Sequence, residues 1–118
     1  KALAEYTEGG GKGKAAFDKS EAVALMQEKY EIVKGLFSGF DYLSFFTASP
    51  RKKMGFIPAA MEHILKQENG KDRCLENVTR LSQAFALSVP HPEALKIRDE
   101  VGFFQAVRAG LAKTLITA

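Results

Sequence analysis

The stretch that most constrains this chain is PHPEALKIRDEVGFFQAVRAGLAK, Pro90 to Lys113. Pro90 stops whatever precedes it, and Pro92 presets φ for a new first helical turn. From Pro92 a helical pattern runs to the C-terminus with only Gly102 and Gly110 as weak points. At about 100° per residue, Ile97, Val101, Phe104, Val107, Leu111 and Leu115 fall on one arc, with Phe103 at its edge. Arg98, Gln105, Ala109 and Lys113 fall opposite. A helix with so wide an apolar face has to be packed against by others. One straight helix from Pro92 to Ala118 would span roughly 40 Å at about 1.5 Å per residue. Two charged residues, Glu100 and Arg108, stand inside the apolar arc.

Three further helices are expected upstream. Asp18 and Glu21 have capping-box spacing, and Val23, Met26, Tyr30, Val33 and Phe37 follow at steps of three and four. Gly35 weakens that helix and Ser38-Gly39 ends it. FDYLSFF, Phe40 to Phe46, is too short for more than a brief helical turn, with Asp41 as its cap and its aromatics plugging the core; an exposed base-stacking platform is the other reading. Ser49-Pro50 opens the second helix as a cap followed by proline at the first position. Met54, Ile57, Met61, Ile64 and Leu65 share a face there, Pro58 lies on the same face and predicts a kink or break near Ile57, and Asn69-Gly70 is expected to close the helix. The third helix runs from about Asp72 to Val89, with Cys74, Leu75, Val78, Leu81, Phe85 and Val89 on its apolar side. No stretch alternates with period two, so the expected fold is all-α: about four main helices joined by short connections containing Pro or Gly.

The N-terminal part reads differently. Lys1 to Tyr6 has the look of a helix end, and Gly9, Gly10, Gly11 and Gly13 with Lys12 and Lys14 cannot form a stable element. The chain is therefore divided into residues 1–16, a helix end plus a Gly/Lys linker, and residues 17–118, the helical domain. Lys1 in place of a starting Met suggests a fragment of a longer chain. At 118 residues with 46% apolar and 26% charged side chains, the chain can bury a real core as a soluble domain. It holds no run of about 18 apolar residues, so no membrane association is expected. A lone cysteine, Cys74, excludes an internal disulfide and suits the cytoplasm. The net charge of +3 permits weak attraction to nucleic acid without arguing for it.

Chemistry-bearing motifs are sparse. A phosphate-binding loop needs Gly five places before a Gly-Lys pair and Ser or Thr after it. Tyr6 and Glu8 occupy the first position, and Gly13 and Ala15 the last. His63 has no second His four residues on, and His91 sits between two prolines, so neither a zinc-protease helix nor a structural zinc site is expected. Cys74 on an apolar stripe reads as core filler, with a Cys–His nucleophile pair as the alternative. No lysine has Asp or Glu two places before it, the spacing of metal-dependent restriction nucleases. No catalytic, cofactor-binding or metal-binding residue is accordingly expected. The basic run Arg51-Lys52-Lys53 reads either as a solvated face or as a contact to duplex DNA phosphates.

Three stretches carry a resemblance: EKYEIVKGLFSGFDY (Glu28–Tyr42), FFTASPRKKMGFIPAAMEHIL (Phe45–Leu65) and FALSVPHPEALKIRDEVGFFQAVRAGLAK (Phe85–Lys113). Together they resemble the helical region that follows the motor domains in the R subunit of type I restriction-modification enzymes, and RDEVGFFQAVRA, Arg98 to Ala109, is the most specific part. The resemblance implies a parent that is an ATP- and magnesium-dependent DNA translocase and endonuclease, with modification and specificity subunits as partners. It carries over no catalytic residue and no cofactor to this segment. What it implies here is a helical scaffold or docking module, with nonspecific contact to the duplex backbone as the alternative and an unrelated small enzyme as the remote one. Uncovered apolar faces would also favour self-association of the segment.

Glu100 and Arg108 have two explanations. Arg108 can lay its stem on Phe104 and Leu111 and carry its head to water, with Glu100 doing likewise or capping a neighbouring turn. Alternatively each meets an opposite charge from another helix, as a buried or interfacial ion pair that fixes the packing register.

Overall fold

The computed structural model describes residues 19–117, and side chains over 20–113. The 1–16 linker, the Asp18 end of the capping box and Leu115 lie outside those limits. Helix α1 is Lys19–Leu36, a 3₁₀ turn covers Leu43–Thr47, α2 is Pro50–Leu65, α3 is Gly70–Ser88, α4 is Pro92–Lys96 and α5 is Arg98–Thr117. Among the described residues there is no strand. Four long helices and a one-turn α4 thus make the all-α fold that the periodicity implies. None of these helices is long and apolar enough to cross a membrane.

Helix α1 packs along α3, and α5 lies across α3 and α2. Their shared core is Met26, Val33 and Phe37 of α1 and its C-terminal end, Ile64 of α2, Val78 and Leu81 of α3, and Val101, Phe104, Val107 and Leu111 of α5. Each of those α5 side chains is at most 1% exposed. Burying one such side chain is worth about 1.5–3 kcal/mol, an upper figure because the unfolded chain is itself partly collapsed. The aromatic segment joins this core at the start of α5. Phe37 stacks on Phe104 at 5.2 Å, Tyr42 stacks on Phe103 at 5.7 Å, and Phe45 lies 5.0 Å from Phe103. Such ring pairs add about 0.5–1.5 kcal/mol beyond burial. The N-cap of the 3₁₀ turn is Tyr42 and not the expected Asp41, which instead braces the turn from one residue earlier, accepting from the Ser44 N–H at 3.3 Å and from its hydroxyl at 2.5 Å.

The punctuation residues act as their chemistry requires. Helix α1 is followed by Gly39 at φ +87°, a conformation in which a side chain is strained. Ser49 caps α2 by accepting from Lys52 N–H at 3.3 Å, with Pro50 in the first turn. Gln67 ties the α2–α3 turn to the end of α1 by donating to the Leu36 carbonyl at 2.5 Å.

Four further expectations are corrected. The single helix from Pro92 is two helices, because Ile97 leaves the helical region at φ −110° and ψ 11°. Its N–H closes α4 on the Ala94 carbonyl at 3.2 Å, and its carbonyl starts α5 by accepting from Val101 N–H at 2.9 Å. The break buries both Ala94 and Ile97, while Asp99 and Glu100 fall in a first turn, where the helix dipole favours acids. Next, α2 ends at Leu65, not at Asn69-Gly70. Asn69, at φ 57°, is instead the N-cap of α3. Gly70 begins α3 so close to α2 that a Cβ would lie 2.0 Å from the Ile64 carbonyl oxygen. The buried side of α2 is centred on Ala60 and Ile64, and Met54 and Leu65 point outward at 78% and 49% exposure. Finally, of the kink or break expected near Ile57, the break is absent: α2 is helical throughout with Pro58 inside it. The proline is exposed beside Met54, whose carbonyl it leaves without a helical N–H on the solvent side.

Candidate functional site

Glu100 sits half-buried in the first turn of α5. The Tyr30 hydroxyl donates to its Oε1 at 2.8 Å and the Tyr42 hydroxyl donates to its Oε2 at 2.8 Å. One carboxylate therefore fastens α5 to α1 and to the segment leading into the 3₁₀ turn. Burial, and after it the bond to Glu100, push both phenols well above their ordinary value, so they stay neutral donors. Lys34 lies over the outer face of Tyr30, 4.9 Å from the ring centre. With both oxygens engaged by strong donors, this carboxylate is placed to hold helices and is poorly placed to abstract a proton from a substrate.

Arg108, two turns along α5, makes the same kind of link to α3. Its Nε donates to Thr79 Oγ1 at 2.7 Å and, more weakly, to the Leu75 carbonyl at 3.3 Å. The Thr79 hydroxyl itself donates to the Leu75 carbonyl at 2.7 Å. Among the described residues neither Glu100 nor Arg108 makes an ion pair. The two charges are held instead by neutral polar groups of other segments. Sequence reasoning missed these partners. Tyr30 and Thr79 sit on helices at ordinary spacing, and the one available signal was that a tyrosine hydroxyl on an apolar stripe needs an acceptor.

The other candidates are also accounted for. Burial pushes the Cys74 thiol up to about 11 against a smaller opposing pull from Arg108, which keeps this buried side chain in the thiol form at neutral pH. His91 Nδ1 accepts from Glu93 N–H at 3.1 Å and caps α4. The His63 ring stacks on Phe37 at 6.5 Å, with its Nε2 buried and without a hydrogen-bond partner. No cluster of His, Cys, Asp and Glu among the described residues could hold a metal ion.

Arg51, Lys52 and Lys53 occupy the first turn of α2, which contains no acid. Arg51 and Lys52 are exposed, and Lys53 lies 5.3 Å from the Phe45 ring centre. None of the three pairs with a carboxylate among the described residues. Beside them runs an open groove of about 460 Å³ lined by Phe40, Asp41, Lys52, Gly55, Phe56 and Ala59.

Comparison with known proteins adds the following. Residues 9–117 match a family model described as type I restriction enzyme HindI endonuclease subunit-like, C-terminal. A protein of Methanocaldococcus jannaschii assigned as the endonuclease subunit of the type I restriction enzyme MjaIXP is 26% identical over 96 residues, which make up 81% of this chain and 9% of that protein. The chain thus corresponds to a small part of that relative's length. No solved structure gives a significant match.

Proposed function

Since the chain belongs to the family of C-terminal regions of type I restriction enzyme endonuclease subunits, we propose that it is a helical docking module, holding the motor of a parent ATP- and magnesium-dependent translocase in position against modification and specificity subunits. The observation that carries this reading is how the polar chemistry is distributed. Glu100 and Arg108, the two charges inside the apolar arc, are consumed in fastening helices to one another. The unspent groups, the exposed cations Arg51 and Lys52 and a groove with apolar walls, lie along α2 and the segment that precedes it. Such a distribution suits a rigid part that is itself bound, rather than one that turns over a substrate.

The test is competition. The isolated segment, added to purified modification–specificity complex, is expected to reduce incorporation of the full endonuclease subunit. It is also expected to show no ATP hydrolysis or magnesium-dependent cleavage of its own. Full incorporation at saturating segment would overturn the docking role.

A second reading, contact with the DNA backbone, is favoured by the same cations together with Lys53. Neutralising three phosphates would give log K a slope of about −2.7 against log salt. Binding to nonspecific duplex that falls with such a slope would support it.

A further inference from the structure

We propose that the outer face of α2 is the seat of an acidic amphipathic helix belonging to the same endonuclease subunit, outside the residues described. This deepens one half of the docking reading above, the hold on the subunit's own motor, and rests on it; the face turned to the modification and specificity subunits is then another one.

Two features of α2 oppose its own stability and have no use within the fold. Gly55 stands in the middle of the helix, where glycine is a weak former. It is not at positive φ, and a Cβ built on it meets nothing within 4 Å, so no internal contact requires it. Likewise, Arg51 and Lys52 stand exposed in a first turn whose dipole disfavours cations, with no acid in that turn; only Lys53 beside them meets an internal group, the Phe45 ring. Local costs without an internal return mark a surface used by something else.

The geometry says what that is. Lys52, Gly55, Phe56 and Ala59 are spaced i, i+3, i+4 and i+7, hence one stripe, and all four line the groove. Gly55 and Ala59 form a low floor on which another helix can approach closely. Phe40 and Phe56, in edge contact at 6.4 Å, form an aromatic wall, and Met54 stands 78% exposed on the same helix. Asp41, the one acid of the groove, is already bound to Ser44. Those bonds come from neutral groups and leave the Asp41 charge in place, but Arg51, Lys52 and Lys53 beside the groove outnumber it; the net charge there is positive, and its complement is an acidic residue beside an apolar ridge. A duplex backbone offers phosphates but nothing for the aromatic wall or for the low floor. The groove is shallow, so occupancy from a separate molecule would be weak. A helix on the same chain has an effective concentration set by its tether, and that suffices for a small contact. In the relative from Methanocaldococcus jannaschii the matched region is 9% of the protein, so a long subunit is available to supply such a helix.

The experiment uses the full-length endonuclease subunit with a photo-crosslinking side chain at Ala59, and as control the same side chain at Ala109, which is exposed on α5. Irradiated alone and in the assembled complex on DNA, the Ala59 subunit is expected to give an intramolecular crosslink to a helical peptide rich in Asp or Glu. Gly55→Leu, which fills the floor while improving helix propensity, should cut the yield at least about tenfold, and Lys52→Glu should do the same. Crosslinking only to DNA, only to another subunit, or no better than at Ala109 would overturn the proposal, as would an unchanged yield in Gly55→Leu. Failure here with competition intact in the assembly experiment leaves docking to the other subunits standing and removes only the same-subunit helix from the α2 groove. Failure of both removes the docking role too.

Discussion

At the scale of single residues, Glu100 and Arg108 show how a charge can occupy an apolar helical arc without an opposite charge beside it. A hydrogen bond to an ionised partner is worth about 1.5–3 kcal/mol net. Tyr42, only 8% exposed, should realise that figure more fully than half-buried Tyr30. Tyr42→Phe is therefore expected to lose about 1.5–3 kcal/mol in urea denaturation, and Tyr30→Phe less. Equal, near-zero losses would show that the two hydroxyls can be supplied by water. The same reasoning revises what Arg108 should cost. A broken ion pair would strand a charge and cost about 3–5 kcal/mol. Here Arg108→Ala leaves only Thr79 and a carbonyl, which keep their own bond, so about 1–3 kcal/mol is expected. Arg98→Ala, at an exposed site, should stay within about 0.5 kcal/mol. Denaturation curves that coincide for the two alanine variants would mean that the Thr79 contact adds nothing.

At the scale of elements, the glycines separate what the backbone requires from what it tolerates. A Cβ at Gly70 would overlap the Ile64 carbonyl, and neither backbone can move without opening the α2–α3 turn. Gly102, by contrast, is exposed in α5 with open space around it. Gly102→Ala should therefore raise stability by about 1 kcal/mol, and Gly70→Ala should lower it by several, on the order of a large core defect. Thermal melts of the pair check both signs at once. The α5 arc was legible in the sequence because Val101, Phe104, Val107 and Leu111 repeat at helical spacing, and propensity and packing agree there. The break at Ile97 was not, since no Pro or Gly marks it. It exists because Ala94 and Ile97 are both buried, which is a tertiary demand. The face of α2 was misread for a related reason. Met54 and Leu65 counted as core by hydropathy, whereas the buried centre includes Ala60, a small side chain that a hydropathy pattern passes over. The basic run at Arg51 was plain in sequence, but its groove was not, because Phe40 and Asp41 come from a different segment.

At the scale of the whole molecule, the fasteners are long-range: Glu100 is separated from Tyr30 by 70 residues and from Tyr42 by 58. No local pattern encodes that convergence, and it predicts how the fold fails with pH. Tyr30, Tyr42 and Cys74 have ordinary values of 10.0, 10.0 and 9.0, and the fold raises all three. A group whose pKa is raised on folding holds its proton more tightly in the native state. Its contribution to stability is present below the unfolded value and is lost as pH rises through the folded one. The thiol acts between 9 and about 11, and the phenols act from 10 upward. From these groups, stability should be level to about pH 9 and then fall, steeply above 10, as ionised phenols would face the Glu100 carboxylate. In the double variant Tyr30→Phe/Tyr42→Phe the protein is less stable at neutral pH, but the alkaline slope is shallower. Cys74 provides the parallel readout: its reaction with a thiol reagent at pH 8 should proceed only through opening of the fold, slowing as stability is raised by Gly102→Ala. Tyrosinate absorbance followed alongside circular dichroism decides the matter. Tyr30 and Tyr42 should ionise together with the loss of helix, whereas free titration of both near pH 10 with the helices intact would show that the Glu100 link carries no weight in the fold.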